Sequence, residues 1–199
     1  MTIENRWPSV PGETPIDDIS GLLVKGVTTR RELNQLEAEN IALPFAKYLV
    51  GRLSPDEAPF TFHWMMDLHK EMFGNVWAWA GSPRKCDLNL GCAWHLVEQQ
   101  VWDLELTIPY WRQQEPFEQA ARLHHRAVSI HPFLNGNGRW SRLLANIWLR
   151  LKGERSTEWP EPELGDASSI RIEYIQAIQA ADRLDYQPLI ELHRTFAPR

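Results

Sequence analysis

From Trp140 onward the apolar positions are Trp140, Leu143, Leu144, Ile147 and Trp148, at i, i+3, i+4, i+7 and i+8. This spacing predicts a helix with one face in a core. Arg139, Arg142 and Asn146 recur at i, i+3 and i+7 on another face. A second periodic run, Ala120, Leu123, Ala127 and Ile130, predicts a helix that Pro116 can open and that ends near Ile130. His124 and His125 flank that stripe and read as structural or surface residues. Leu96, Val97, Val101, Leu104 and Ile108 mark a further helix. Phe62, Met65, Leu68, His69 and Met72 mark another, which Ser54-Pro55-Asp56-Glu57 would start with an acidic first turn.

Toward the N-terminus, Thr28 or Thr29 can cap a helix over about 30–39, and Glu32 stands at the capping-box distance from Thr29. Asn40 reads as its stop, and Pro44 as lying in the first turn of a new short helix from about Leu43. Residues 1–27 read as an extended arm, because the first twenty are rich in Pro, Asp, Glu and Gly. Residues 152–167 read as a loop. Ser168 or Ser169 can start a helix through Ala181 along Ile172, Ile175 and Ile178, and Asp185 precedes a last helix that tolerates Pro188 in its first turn. Between Gly81 and Trp94 the periodicity is lost, and an irregular β-hairpin is expected over 82–94. The expected fold is all-α: one domain over 28–199, with seven or eight helices around one core and a small β-hairpin flap.

Composition narrows the function. The chain has 199 residues and a formal net charge of −5, with no long basic block, which argues against a nucleic-acid scaffold. No run approaches the roughly 18 apolar residues of a membrane span, and the first residues lack a signal-peptide pattern, so a cytoplasmic protein is expected. Cys86 and Cys92 have no neighbouring cysteine pair and read as free thiols rather than zinc ligands. Ten tryptophans leave room for an aromatic interface between copies.

The chemistry concentrates in residues 131–142, HPFLNGNGRWSR. His131 carries an imidazole whose ordinary pKa of about 6.5 suits proton abstraction near neutral pH. Gly136 and Gly138 flank Asn137 just before or within the first turn of the following helix, where small residues and unpaired N–H groups suit an anion. Arg139 and Arg142 can add charge-assisted bonds to phosphate oxygens.

This string resembles the signature of the Fic/Doc (Fido) family: His-Pro-Phe, any residue, Asp or Glu, Gly-Asn-Gly-Arg, any two residues, Arg. Asn135 departs from it, standing where a carboxylate is expected. The Thr29–Asn34 run, Trp79-Ala80-Gly81 and Tyr186-Gln187-Pro188-Leu189-Ile190 are similar to the bacterial mobile mystery protein B subgroup.

The resemblance implies transfer of AMP from ATP to a Tyr, Thr or Ser hydroxyl of a target protein. His131 would be the base, and Gly136, Asn137, Gly138, Arg139 and Arg142 would hold the phosphates. Asn135 would be a weakened Mg²⁺ ligand, and Phe133 would anchor the loop. A flap carrying Arg84, Lys85, Cys86 and Asp87 would align the target. The family also contains phosphotransferases, phosphocholine transferases and enzymes that remove AMP. A catalytically weak nucleotide-binding regulator of the same fold is a further alternative. In Gln35–Asn40, QLEAEN, Glu39-Asn40 match the end of the family's inhibitory motif, which would set Glu39 against Arg142.

Overall fold

The computed structural model describes residues 20–165 and 167–198. Most of the expected arm therefore lies outside the described residues. The helices are α1 (Arg30–Leu49), α2 (Phe62–Phe73), α3 (Val97–Thr107), α4 (Pro116–Ile130), α5 (Asn137–Leu151), α6 (Glu161–Gly165), α7 (Ser169–Ala181) and α8 (Gln187–Thr195). Short 3-10 segments, Trp94–Leu96 and Ile108–Gln113, lead into and out of α3. Among the described residues there is no strand, only an isolated bridge between Leu22 and Trp77. The all-α reading holds, and no described helix is long and apolar enough to cross a membrane.

The two strongest sequence stripes become the central helix pair, α4 against α5. Their apolar faces bury Leu123, Ala127, Ile130, Trp140, Leu143, Leu144 and Ile147 with Met65, Leu68, Met72 and Phe73 of α2. A second, smaller cluster joins Trp159, Leu164 and Ala177 to Leu189, Ile190 and Leu192 of α8.

The structure departs from the expected elements at several places. Helix α1 runs unbroken through Asn40 and Pro44. An internal proline costs about 3 kcal/mol. Burial of Leu33, Pro44 and Tyr48 and a bond from buried Asn40 Nδ2 to the Glu71 carbonyl of α2, 3.0 Å, oppose that cost. The Thr29–Glu32 capping box is formed. Ser54–Glu57 closes only a local turn, through Ser54 N–H and Oγ to Glu57 Oε2 at 2.9 and 2.8 Å. Pro59 and the left-handed Phe60 (φ 55°) interrupt the chain, so α2 starts at Phe62 under a Thr61 cap. Residues 152–167 include α6, whose Leu164 is buried. In α7 it is Ala177, Ala180 and Ala181 that are buried, while Ile172 is exposed.

The 82–94 segment is not a hairpin. Its two legs pair with the loop after α4 instead of with each other: Arg84 N–H donates to Pro132 O at 2.8 Å and Cys92 N–H to Ile130 O at 3.4 Å.

Candidate active site

Helix α4 ends on His131, which adopts a left-handed conformation (φ 53°, ψ 60°) that non-glycine residues rarely take. Arg84 supports this turn. Its buried guanidinium donates to the His131 carbonyl at 2.7 Å, the Cys86 carbonyl at 2.8 Å, the Ile130 carbonyl at 3.5 Å and the Cys92 carbonyl. Gly91 closes the other side. With φ 96°, it lies so near that a Cβ there would sit 2.5 Å from the His131 Cβ. Arg84 therefore braces the His131 loop from inside and is not a residue displayed to a target, as expected of the flap. Lys85, Cys86 and Asp87 are exposed beside it, with Asp87 accepting the Trp94 N–H at 2.8 Å.

Arg84→Ala leaves these carbonyls without their donor, at about 1–3 kcal/mol for a buried acceptor left unpaired. We expect a melting temperature lower by about 5–10 °C. Thermal unfolding followed by circular dichroism checks this, and an unchanged melting temperature would remove the clamp.

His131 is buried, and its Nδ1 lies 3.3 Å from the Val128 carbonyl. A carbonyl only accepts, so Nδ1 carries the proton and Nε2 is the basic nitrogen. Burial pushes the imidazole down to about 4. The Val128 bond opposes that shift and the Arg84 charge adds to it. The ring is thus neutral at pH 7, as a general base requires.

Buried His69 and His193 are each pushed by burial to about 3. Groups whose folded pKa is lowered below the unfolded value of about 6.5 bind fewer protons when folded, so stability is intact above that value. We expect stability to fall as pH drops from about 6.5 toward 3. Urea midpoints measured across this range test the sign, and a midpoint rising with acid would overturn it.

The loop from His131 to α5 is held by its own side chains. Asn137 Oδ1 accepts the Phe133 N–H at 2.9 Å, and its Nδ2 donates to the Phe133 carbonyl at 2.8 Å. The Asn137 side chain is therefore a brace, tied at both ends to the Phe133 backbone. Phe133 is fully buried and stacks on His69, ring centroids 3.6 Å apart, with Trp140 edge-on at 5.1 Å. His69 was not expected at the site. Gly81 N–H donates to its Nδ1 at 3.0 Å, so Nε2 carries the proton and donates to the Asn135 carbonyl, also 3.0 Å. One imidazole thus ties the Trp-Ala-Gly turn to the motif loop. A lone histidine on the otherwise apolar face of Met65, Leu68 and Met72 was the signal for it.

Gly136 caps α5 at φ 78°, where a Cβ would lie 2.6 Å from the Phe73 ring. Gly138 follows in the first turn, so the helix start faces the loop with its N–H groups. Asn135 Oδ1 accepts the Gly136 N–H at 2.5 Å. Among the described residues, no group of three or more His, Cys, Asp or Glu side chains could hold a metal ion.

Both arginines are paired with carboxylates, but not with Glu39. Arg139 Nη1 meets Glu37 Oε2 at 2.7 Å and lies over the Phe73 ring at 4.8 Å. Glu37 is buried and also accepts the Trp77 indole N–H at 2.6 Å. Arg142 Nε and Nη2 form a fork onto Glu161 at 2.8 and 2.5 Å. Glu39 is exposed and, among the described residues, accepts only from Gln35, 3.1 Å. The expected Glu39–Arg142 contact is absent because Glu39 lies about 200° around α1 from Glu37, on the solvent side. Asn40 points into the α1–α2 contact, away from the motif.

Residues 59–149, which carry α2, the 82–94 loop and the His131–Arg142 turn, match the Fic/DOC family. Protein adenylyltransferase fic-1 of Caenorhabditis elegans is 26% identical over 197 residues, covering 96% of this chain and 37% of that protein. The chain thus spans little more than a third of that relative's length. Among solved structures, Fic-1 (residues 134–508) of C. elegans superposes with a TM-score of 0.67 at 24% identity, over 87% of this chain and 51% of that one. BepC, a VirB-translocated effector of Bartonella tribocorum with bound AMPPNP, gives 0.64 at 15% identity, over 87% and 90%. These two structures share the fold.

Proposed function

We propose that this Fic domain is a protein adenylyltransferase, moving AMP from ATP to a Tyr, Thr or Ser hydroxyl of a target protein. The observation that carries the reading is a buried, neutral imbalance of roles at one turn: a His131 ring with Nε2 basic, set one braced loop ahead of the Gly136–Gly138 helix start. The similarity to adenylyltransferases of the fic-1 type supports it. In the reaction, His131 Nε2 takes the target hydroxyl proton and the oxygen forms a bond to the α-phosphorus. The bond from that phosphorus to the bridging oxygen of the β-phosphate breaks, and pyrophosphate leaves. Backbone N–H groups at the start of α5 and the two guanidiniums stabilise the charge on the phosphates, which is where phosphoryl transfer needs help.

Mg²⁺ belongs to the nucleotide substrate in this scheme. The chain offers it the Asn135 amide oxygen, which already accepts the Gly136 N–H and carries no charge. Asn135→Asp should lower the Mg²⁺ concentration for half-maximal transfer, because a hard cation prefers a carboxylate. A Mg²⁺ titration of both proteins reads this, and identical curves would remove residue 135 from the metal's surroundings.

The reading extends to the mobile mystery protein B subgroup of bacteria. Its support is the likeness of the Thr29–Asn34 run, Trp79-Ala80-Gly81 and the Tyr186–Ile190 run at the start of α8. Incubation with α-labelled ATP and Mg²⁺ in cell lysate tests the main proposal. Label on a protein hydroxyl is expected. Absence of label with both the parent and a Glu37→Gln variant would sink it.

A further inference from the structure

Behind Arg142 runs a buried polar chain that the reaction above does not use. Besides its fork onto Glu161, the guanidinium lies against Tyr174, its carbon 5.8 Å from the ring centre, with the hydroxyl and the charge acting on one another. Tyr174 Oη lies 3.0 Å from His124 Nε2, His124 Nδ1 lies 3.1 Å from His193 Nε2, and His193 Nδ1 lies 2.8 Å from Thr157 Oγ1. Thr157 Oγ1 in turn lies 3.2 Å from the His193 carbonyl. The Thr157 backbone pairs at both ends with the Asn146 side chain, at 2.9 and 2.8 Å. Asn146 is on α5, one turn beyond Arg142, so the path leaves the helix at one residue and returns to it at the other. His124, His193, Thr157 and Asn146 are all buried.

The direction of every bond follows from one fact: the His193 carbonyl only accepts, so Thr157 Oγ1 donates to it. Thr157 Oγ1 therefore accepts from the His193 Nδ1–H, each imidazole accepts at Nε2, and the Tyr174 hydroxyl donates to His124 Nε2, which leaves its oxygen lone pairs toward Arg142. His124 then carries its proton on Nδ1 and donates to His193 Nε2. His193 carries its proton on Nδ1 and donates to Thr157, whose hydroxyl donates to the His193 carbonyl. Each group donates once and accepts once along the line, with both imidazoles neutral, and burial holds both pKa values down in the same sense. The chain can run only one way, so it presents Tyr174 to Arg142 as an acceptor with a fixed orientation.

On the opposite side, the Glu161 side chain is 41% exposed while that of Arg142 is 8% exposed. An incoming anion reaches the guanidinium by replacing the Glu161 carboxylate, and Tyr174 is the partner that stays. We infer that Tyr174, oriented by His124, His193 and Thr157, is a positioning residue that holds Arg142 in place for the distal phosphates of the nucleotide. The inference rests on the phosphate-binding role proposed for Arg142. None of the four side chains belongs to the Gly-Asn-Gly turn or to the base, and they come from four separate segments of the chain.

Tyr174→Phe removes one hydroxyl and keeps the ring. We expect calorimetric affinity for ATP with Mg²⁺ to fall about tenfold, the size of one charge-assisted hydrogen bond, while affinity for AMP is unchanged. Thr157→Ser keeps the relay and should match the parent, whereas Thr157→Val breaks its far end and should weaken ATP alone. Equal losses for ATP and AMP, or a lower melting temperature with ATP affinity intact, would show a purely structural network and overturn the inference. Arg142→Ala separates the two layers. If it leaves ATP affinity unchanged, the phosphate role of Arg142 fails and the inference with it. If it weakens ATP binding and Tyr174→Phe does not, the inference alone fails.

Discussion

On the proposed reaction, replacing His131 by alanine is expected to lower the rate of AMP transfer by about 10²–10⁴-fold, the usual cost of losing a general base. It leaves nucleotide affinity close to that of the parent. The separation follows from the geometry. The imidazole is attached to the loop through its backbone, which Arg84 holds by the His131 carbonyl, and through the Nδ1 bond to Val128. Neither the Gly136 cap nor the Asn137–Phe133 brace depends on the ring. The substitution also removes a buried group that must stay neutral, so part of the acid lability should go with it. Initial rates of label transfer and calorimetric affinity for ATP decide the point. Equal rates for the two proteins would take His131 out of the chemistry, and a parallel loss of affinity would make it a binding residue.

What could be read from the chain alone divides by the distance over which the deciding contacts act. Helices α4 and α5 were legible because their stripes are local and long, and Pro116 and the Gly-Asn-Gly turn mark their starts. The ends of α1 and α2 were not. Asn40 and Pro44 are stop signals taken by themselves, but the Asn40 amide is answered by Glu71 on the next helix, out of reach of any local rule. The flap failed for a related reason. Its residues look like a hairpin because they lack helical period, while their backbone partners are Ile130 and Pro132, some forty positions away. Short α6 was hidden among prolines and charges, with Leu164 its single buried anchor.

The string HPFLNGNGRWSR located the candidate site. It did not reveal what its parts lean on: His69 under the loop, Arg84 behind His131, and a carboxylate on each arginine. In particular, matching the end of a short motif selected Glu39. Helical period would have selected Glu37, since Leu33, Glu37, Asn40, Pro44 and Tyr48 share the buried side of α1.

That correction changes which substitution should release the protein. Glu37→Gln is expected to raise ATP affinity and label transfer by about 10- to 100-fold, the worth of freeing a guanidinium from a charge-assisted pair. The Glu37 side chain is 2% exposed and that of Arg139 is 27% exposed, so the pair is shielded on one side and open to an entering phosphate on the other. Under the proposed reaction the two anions compete for one cation, and the carboxylate has the advantage of being tethered. Glutamine is the informative replacement because its amide oxygen still accepts the Trp77 indole N–H, now 2.6 Å from Glu37 Oε1. Glycine would add the helix cost of about 1 kcal/mol and strand that N–H, mixing a folding defect with the release. Glu39→Gln serves as the control, since its carboxylate lies on the solvent face and meets only Gln35 among the described residues. Calorimetry with ATP, label transfer and thermal unfolding of the three proteins separate the effects. A gain for Glu39→Gln matching that of Glu37→Gln would point to general charge removal on α1, and no gain for Glu37→Gln would make its bond to Arg139 a structural tie between α1 and α5 rather than a brake.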